Sequence, residues 1–253
     1  MKRMQCELSA VPMRREPSDK SEMTNQILFG ETMQLLDENE KWLMVRLDHD
    51  DYEGWVDRKQ VTSSNAKSEP TKNVGQLFQL VHKMDGGDVV IPAGSFLPAN
   101  TEGEFLTGDS TFIIEERKSE ATTSNCISTA KMFLGVPYLW GGRTFMGIDC
   151  SGLTQIVMRI CGIDIPRDAY QQAEQGESVS FIDESITGDL AFFDNAEGKI
   201  THAGIVFLDT KNERKIIHAS GEVRIDSIDH QGIFNKETGQ YTHHLRIIKR
   251  MPL

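Results

Sequence analysis

Cys150 combines a nucleophilic side chain with a sequence position that could activate it. It follows Asp149 and opens a segment in which apolar residues recur at helical spacing between positions 153 and 160. This pattern predicts a helix with Asp149 as its N-cap and Cys150 in its first turn. Unpaired N–H groups and the positive end of the helix dipole stabilise a thiolate there. Cys150 is therefore the predicted nucleophile, beside backbone N–H groups that could form an oxyanion hole.

A cysteine nucleophile needs a base, and two histidines in neighbouring predicted strands could supply one. His202 lies near the start of the predicted strand 201–207 and shares a face with Gly204, which we expect to leave open space in front of the imidazole. A polar turn leads into a second strand that ends at His218. In a hairpin, the two imidazoles lie within one or two residues of cross-strand register. We expect His202 to act as the base and His218 to orient it.

The other thiols and imidazoles are predicted to have no catalytic role. Cys6, Cys126 and Cys161 lie far apart with no C-x-x-C pair, so neither a zinc site nor a disulfide framework is expected. Cys126 and Cys161 are predicted to be small core residues. No metal or organic cofactor is required. The histidines interpreted as partly exposed residues without a role are His49, His82, His230, His243 and His244.

Composition narrows the class of protein. Charged residues make up 26% of the chain and hydrophobic residues 38%, which is typical of a soluble globular protein. The net charge of −11 argues against nucleic acid or an anionic membrane as a partner. We expect no transmembrane helix and a monomer. As written, the chain shows no signal peptide and indicates a cytoplasmic protein, whereas a removed leader would indicate the periplasm or cell surface.

The two halves of the chain differ in pattern. In the first half, short apolar runs broken by Gly, Asp and Asn predict small β-barrels, with a polar linker at 63–70. In the second half, helices precede strands, which indicates an α+β domain. The predicted strands are 27–30, 33–36, 42–47, 52–56, 89–92, 112–114, 190–193, 203–207, 215–218 and 245–248, and a further helix is predicted at 122–134.

Five ordered sequence blocks resemble the NlpC family of cell-wall cysteine peptidases. They are 138–142, 149–153, 188–193, 201–205 and 217–220. The resemblance implies a papain-like catalytic domain over residues 120–253 with Cys150, His202 and His218 as its triad. It also implies hydrolysis of the γ-D-glutamyl bond to a diamino acid, meso-diaminopimelate or lysine, in peptidoglycan stem peptides.

The amino-terminal half resembles bacterial SH3-like modules, most clearly at 52–56. The resemblance implies an α+β papain-like domain preceded by two all-β SH3-like barrels, at 1–64 and, in divergent form, at 65–119. This arrangement is similar to the dipeptidyl-peptidase VI branch of the family. That branch takes murein-derived peptides with a free amino-terminal L-alanine and releases L-Ala-γ-D-Glu in murein turnover or recycling.

The same resemblance implies a set of substrate-binding residues. An acidic wall would bind the ammonium of the substrate and reject peptides whose amine is acylated. The residues assigned to the ammonium are Glu22, Tyr52 and Asp168. Those assigned to the oxyanion or the rest of the cleft are Tyr138, Trp140, Asp149 and Ser151. The family often has a serine where this chain has Ala169.

Alternatives remain open for individual residues and for the whole protein. Asp168 could serve as the N-cap of a following helix, either instead of binding the ammonium or in addition to it, and Tyr138 and Trp140 could be core aromatics. A non-catalytic cell-wall binding protein would use the SH3-like modules alone, and the intact Cys150, His202 and His218 argue against it. A thiol amidase or acyltransferase could use the same catalytic core.

Overall fold

The computed structural model describes residues 2–64, 71–99, 103–108, 110–114 and 125–252. The chain divides by contacts into two units. The first contains Met1–Thr123 and Trp140–Phe145, and the second contains Ser124–Leu139 and Met146–Leu253. Most of the predicted linker, the predicted boundary at 119/120 and the first residues of the predicted 122–134 helix lie outside the described residues.

The first unit consists mainly of short antiparallel strands. The strands are β1 (Arg3–Gln5), β2 (Ala10–Arg14), β3 (Met23–Leu28), β4 (Thr32–Glu38), β5 (Trp42–Leu47), β6 (Glu53–Asp57), β7 (Thr62–Ser64), β8 (Thr71–Asn73), β9 (Phe78–Lys83), β10 (Asp88–Pro92), β11 (Phe96–Pro98), β12 (Glu104–Thr107), β13 (Ser110–Ile114) and β14 (Arg143–Thr144). A 3₁₀-helix spans Arg58–Gln60. A seven-stranded sheet has the order β3-β2-β6-β5-β4-β1-β7, a four-stranded sheet has the order β10-β9-β13-β12, and β8 pairs with β11.

Alternating apolar side chains fill the core of the seven-stranded sheet. Val11 and Met13 on β2 are fully buried, as are Val45 and Leu47 on β5. The prediction of a strand at 42–47 is confirmed residue for residue. Phe29 lies just after β3, and its ring packs edge-on against Phe112 of the four-stranded sheet at 5.1 Å between centroids. The two sheets of this unit therefore share apolar contacts.

A buried cation lies within the first unit. Arg143 is fully buried and forms two hydrogen bonds with the Glu31 carboxylate, at 3.1 and 2.9 Å, and one with the carbonyl oxygen of Gln26 at 2.7 Å. His49 Nε2 lies 2.9 Å from the same carboxylate. Removal of either ionic partner would leave a charge in the core, which typically costs about 3–5 kcal/mol. The segment Trp140–Phe145 is therefore tightly held in the first unit.

Among its described residues, the second unit combines three short α-helices with a closed sheet. The elements are α1 (Cys126–Lys131), β15 (Gly147–Ile148), α2 (Cys150–Ile160), α3 (Ala169–Gln172), β16 (Glu177–Val179), β17 (Leu190–Asp194), β18 (Ile200–Leu208), β19 (Arg214–Ser220), β20 (Glu222–Ile228), β21 (Gly232–Asn235) and β22 (Gln240–Arg250). A 3₁₀-helix spans Ile182–Glu184. The sheet order is β16-β22-β17-β18-β19-β20-β21, and β22 also pairs with β21, so the strands from β17 to β22 form a six-stranded barrel.

Helix α2 packs against β18 and β19 and is buried from Cys150 through Arg159. The prediction of a helix that begins at Cys150 is confirmed, with Asp149 as its N-cap and Cys161 as its C-cap. The prediction that Cys126 and Cys161 are core residues is wrong, because both are only partly buried. Cys126 opens α1, and Cys161 follows the last turn of α2, so each lies at a helix end and not in the apolar stripe.

None of the helices among the described residues is long and apolar enough to span a lipid bilayer.

Candidate active site

Asp149 fixes the start of α2 and thereby the position of Cys150. Its carboxylate accepts a hydrogen bond from the Gly152 N–H at 2.6 Å, which satisfies one of the N–H groups that a helix start leaves unpaired. Its carbonyl oxygen accepts from the Leu153 N–H at 2.9 Å. Cys150 is therefore held on a capped helix that is anchored in the core, which gives its sulfur a defined direction.

Arg167 is a buried partner of the residues on both sides of Cys150. Its guanidinium bonds to both carboxylate oxygens of Asp149, at 2.5 and 3.0 Å, and to the Ser151 hydroxyl at 2.9 Å. It is 1% exposed. This ion pair balances the negative charge of Asp149 next to the thiol. Ser151, a predicted residue of the substrate cleft, is hydrogen-bonded within this network of Arg167 and Asp149.

The Cys150 thiol lies against the backbone that flanks His202. Its sulfur is 3.9 Å from the Thr201 carbonyl oxygen and is hydrogen-bonded to the backbone of Ala203. Burial raises the pKa of the thiol to about 12, with a further rise from the charge of Asp149, against the opposing effects of Ala203 and Arg167. The expected stabilisation of thiolate by the helix start is thus outweighed by desolvation. The resting cysteine is a neutral thiol that needs a base.

A relay of side chains determines which nitrogen of His202 is free to accept that proton. His202 Nε2 lies 2.8 Å from His218 Nδ1, and His218 Nε2 lies 3.0 Å from the Asp226 carboxylate. Burial alone would raise the pKa of Asp226, but hydrogen bonds with His218 and Arg224 lower it to about 2, so the carboxylate is ionised and only accepts. His218 therefore carries its proton on Nε2, and His202 donates from Nε2. The Nδ1 of His202 is left as the basic nitrogen.

A third imidazole packs on His202. The rings of His202 and His243 stack at 4.0 Å between centroids with 21° between their planes. Burial lowers the pKa of His202 well below its ordinary value, and His243 and His218 lower it further. Neutral imidazole is consequently the resting form of His202, as a general base requires. Sequence patterns predict no role for His243, because its strand β22 is remote from β18 along the chain.

Gly204 sets how closely His202 and His218 approach each other. It pairs directly with His218 across β18 and β19, which confirms the predicted register. A Cβ at Gly204 would lie 2.7 Å from Ile216 and 2.9 Å from the Cβ of His218. We expected this glycine to open space toward a cleft. The space is instead filled by Ile216 and His218, so the glycine allows the second histidine to reach the first.

His202, His218 and His243 also form a group with metal-ligand chemistry, since their nitrogens lie within 4.8 Å of one another. Imidazole lone pairs lie in the ring plane. The stacked rings of His202 and His243 direct theirs side by side, and His202 and His218 are already hydrogen-bonded. A shared ion would require ring rotation and the loss of that bond. The arrangement fits acid–base chemistry better than metal binding.

The other predicted site residues fall in both units. In the first unit, the Trp140 indole N–H donates to Glu22 at 2.8 Å, and Tyr52 packs against the apolar core of the seven-stranded sheet. Trp140 is 59% exposed, so it is not a core aromatic.

In the second unit, Asp168 is the N-cap of α3, as the alternative interpretation predicted. Burial raises the pKa of Tyr138, and the negative charge of Asp149 raises it further, so its phenol stays protonated and can donate.

Comparison with known proteins adds an independent observation. The NlpC/P60 family model matches residues 135–242, and the model of the bacterial dipeptidyl-peptidase Sh3 domain matches residues 13–61. The gamma-D-glutamyl-L-lysine dipeptidyl-peptidase of Bacillus subtilis is 30% identical over 203 residues, which cover 71% of this chain and 68% of that protein. The chain belongs to the NlpC/P60 family. It is accordingly a cysteine peptidase with a papain-like domain, an SH3-like domain and a peptidoglycan-related activity.

Two further comparisons cover most of the chain. Dipeptidyl-peptidase 6 of Lysinibacillus sphaericus is 28% identical over 251 residues, which cover 85% of this chain and 88% of that protein. The crystal structure of an NlpC/P60 family protein from Bacillus cereus has a TM-score of 0.82 at 21% identity and covers 98% of this chain and 99% of that one. The second likeness shows the fold alone. That residues 65–119 form a second SH3-like barrel stays a prediction.

The charge state of Cys150 leads to a testable pH dependence. Because the resting form is a neutral thiol, its rate of alkylation by iodoacetamide should rise by about tenfold per pH unit from about pH 6 to about pH 9, in step with the thiolate fraction. Peptide-level mass spectrometry would follow each cysteine separately. Cys6, which is fully buried with a pKa of about 12, is the internal control. A plateau for Cys150 across neutral pH would instead indicate a preformed thiolate–imidazolium pair.

Proposed function

We propose that this peptidase hydrolyses the γ-D-glutamyl–diamino acid bond of peptidoglycan stem peptides with a free amino-terminal L-alanine and releases L-Ala-γ-D-Glu. The observation that carries the choice of bond is the 30% identity to an enzyme named gamma-D-glutamyl-L-lysine dipeptidyl-peptidase. The relay at Cys150 supports the reaction class, acyl transfer through a thioester. Such a reaction would serve the turnover or recycling of murein peptides.

The proposed chemistry begins with proton transfer from the Cys150 thiol to the Nδ1 of His202. The sulfur then attacks the γ-carbonyl carbon of the D-glutamyl residue. The Cys150 N–H at the start of α2 and the protonated Tyr138 hydroxyl are the proposed donors to the oxyanion. His218 and Asp226 hold the imidazolium that forms and stabilise its charge.

The intermediate collapses as His202 returns its proton to the nitrogen of the leaving diamino acid. The C–N bond breaks, and L-Ala-γ-D-Glu remains attached to Cys150 as a thioester. His202, again neutral, takes a proton from water, and the resulting hydroxide attacks the thioester carbonyl. The C–S bond breaks, the proton returns to sulfur, and the dipeptide leaves with a free γ-carboxylate.

The direct test uses synthetic peptides and product mass spectrometry. L-Ala-γ-D-Glu-L-Lys and its meso-diaminopimelate counterpart would each be offered with a free and with an acetylated amino terminus. We expect L-Ala-γ-D-Glu from a free peptide and a loss of about 100-fold or more on acetylation, since the acidic partner of the ammonium would lose its counter-ion. The absence of the dipeptide would exclude the proposed bond. Equal cleavage of the acetylated peptide would exclude the free-amine requirement alone.

Asp168 allows the free-amine requirement to be tested separately from folding. Asparagine caps a helix about as well as aspartate, so Asp168→Asn keeps the start of α3 while it removes the charge. We expect the variant to have a higher KM for the free peptide and nearly the same midpoint of thermal unfolding. Asp164→Asn, at an exposed position nearby in sequence, is the matched control. Glu22 and Tyr52 stay predicted contributors to amine recognition.

A further inference from the structure

Two thiols outside the catalytic site meet at the ends of neighbouring helices. Cys126 is the first residue of α1, and Cys161 caps the carboxyl end of α2. Their side chains are hydrogen-bonded to each other, and α1 packs against α2. Both thiols line a pocket of about 750 Å³, so a small molecule in solvent can reach them. The two cysteines are far apart in the sequence, and the packing of α1 against α2 brings their sulfurs together.

The two sulfurs differ in their hold on a proton. The hydrogen bond from Cys161 lowers the pKa of Cys126 to about 7, although partial burial acts in the other direction. The pKa of Cys161 is raised, first by its hydrogen bond with Cys126 and then by burial. A thiolate and a protonated thiol are thus adjacent near neutral pH, which is the starting point for thiol–disulfide exchange.

The other two cysteines lack this combination. Cys6 is fully buried, and burial raises its pKa to about 12. Cys150 is 6% exposed and its pKa is raised to the same value. Among the four thiols, Cys126 is therefore the one that should first attack a small disulfide in solution, and Cys161 is the thiol placed to resolve the product.

We propose that Cys126 and Cys161 are a modification site that forms an intramolecular disulfide when the protein meets a small disulfide oxidant such as oxidised glutathione. The Cys126 thiolate attacks one glutathione sulfur, the glutathione S–S bond breaks, and one glutathione thiolate leaves. Cys161 loses its proton to that thiolate and attacks the Cys126 sulfur, which expels the second glutathione. The second glutathione also leaves as a thiolate and takes up the proton that Cys126 released on ionisation. Counted from the two thiols, the protein loses two electrons and two protons, and the oxidant becomes two glutathione thiols.

The bridge would stabilise the fold without blocking the catalytic site. Helix α2 separates Cys161 from Cys150 by eleven residues, or about 16 Å of helix at 1.5 Å per residue. The bridge would join the start of α1 to the end of α2 and close a long loop that contains Cys150. Such closure reduces the entropy of the unfolded chain. We therefore expect a higher thermal midpoint for the oxidised protein.

The test uses the full chain with Cys150→Ser, which removes the catalytic thiol as a competing target. After treatment with oxidised glutathione, the mass should fall by about 2 Da, and non-reducing peptide mapping should show Cys126 linked to Cys161. The thermal midpoint should rise by about 5 °C and return on reduction. The double variant Cys126→Ser, Cys150→Ser is the control that should show neither change.

Two results would overturn the proposal. One is a stable glutathione adduct on Cys126 with Cys161 still a free thiol, which would show that the second exchange cannot occur. The other is an unchanged mass in a protein whose Cys126 remains open to alkylation. Both concern thiols that take no part in the proposed peptidase reaction, so either outcome leaves the substrate assignment standing.

Discussion

Replacement of Cys150 by alanine is expected to lower kcat/KM for the free stem tripeptide by about 10⁴-fold or more, because no other group can form the thioester. The thiol lies at the capped start of a buried helix, so its loss removes the chemistry and leaves the supporting elements in place. The measurement is the rate of L-Ala-γ-D-Glu release by the variant and the native chain at matched concentrations.

Cys161→Ser provides the matched control for this loss. Cys161 lies at the opposite end of the same helix and is only partly buried, so its replacement should leave kcat/KM within about twofold. Far-ultraviolet circular dichroism of both variants would confirm that the helices persist. Residual turnover of Cys150→Ala near the native rate would show that a different residue attacks the peptide.

Asp226→Asn is expected to lower kcat by about 10²- to 10⁴-fold with little change in KM. The carboxylate accepts from His218 Nε2 and thereby leaves the Nδ1 of His202 unprotonated. An asparagine amide can donate as well as accept, so it no longer selects one tautomer of His218. Part of the His202 population would then present a proton to the thiol where a lone pair is needed. The readout is kcat together with the ¹⁵N shifts of the imidazole nitrogens, which report the tautomer directly.

Asp189→Asn separates this role from structural loss. Asp189 is also buried and also bonds to an arginine, with Arg250 at 2.9 Å from each carboxylate oxygen, but no hydrogen bond joins it to the histidines. Its substitution should lower stability and leave the imidazole shifts unchanged. If both variants lose activity equally and neither moves the shifts, Asp226 is a structural residue only. Recovery of activity in Asp226→Glu would support its positioning role.

Local patterns predicted the elements that carry the proposed nucleophile and the proposed base. The apolar spacing of α2 is a strong sequence signal because the helix is amphipathic and starts at an acidic cap. Its first residue was predicted correctly. The hairpin of β18 and β19 could be predicted because both strands are apolar and separated by a polar turn, which placed His202 near His218. Helix α1 is shorter than predicted, since it ends at Lys131.

The residues that regulate proton position could not be predicted in this way. Asp226 lies on β20, whose partly exposed alternation gave no predicted strand, and it reaches His218 only through cross-strand pairing. Arg167 reaches Asp149 because of the path of the loop that carries it, and no local sequence pattern predicts that path. His243 stacks on His202 only because β22 closes the barrel. Each contact depends on tertiary structure, and so does the desolvation that keeps Cys150 protonated.

The buried Arg143 bears on how this protein could be divided or recombined. Its guanidinium is fully buried against Glu31, and the residues around it, Trp140–Phe145, group with the first unit although they lie between Tyr138 and Cys150 in the chain. A fragment starting at residue 124 would carry this arginine without its carboxylate partner. Exchange of the amino-terminal half for an unrelated module would do the same. The peptidase half therefore cannot be moved to another protein unchanged. Its residues 140–145 would first have to be redesigned as a neutral surface loop.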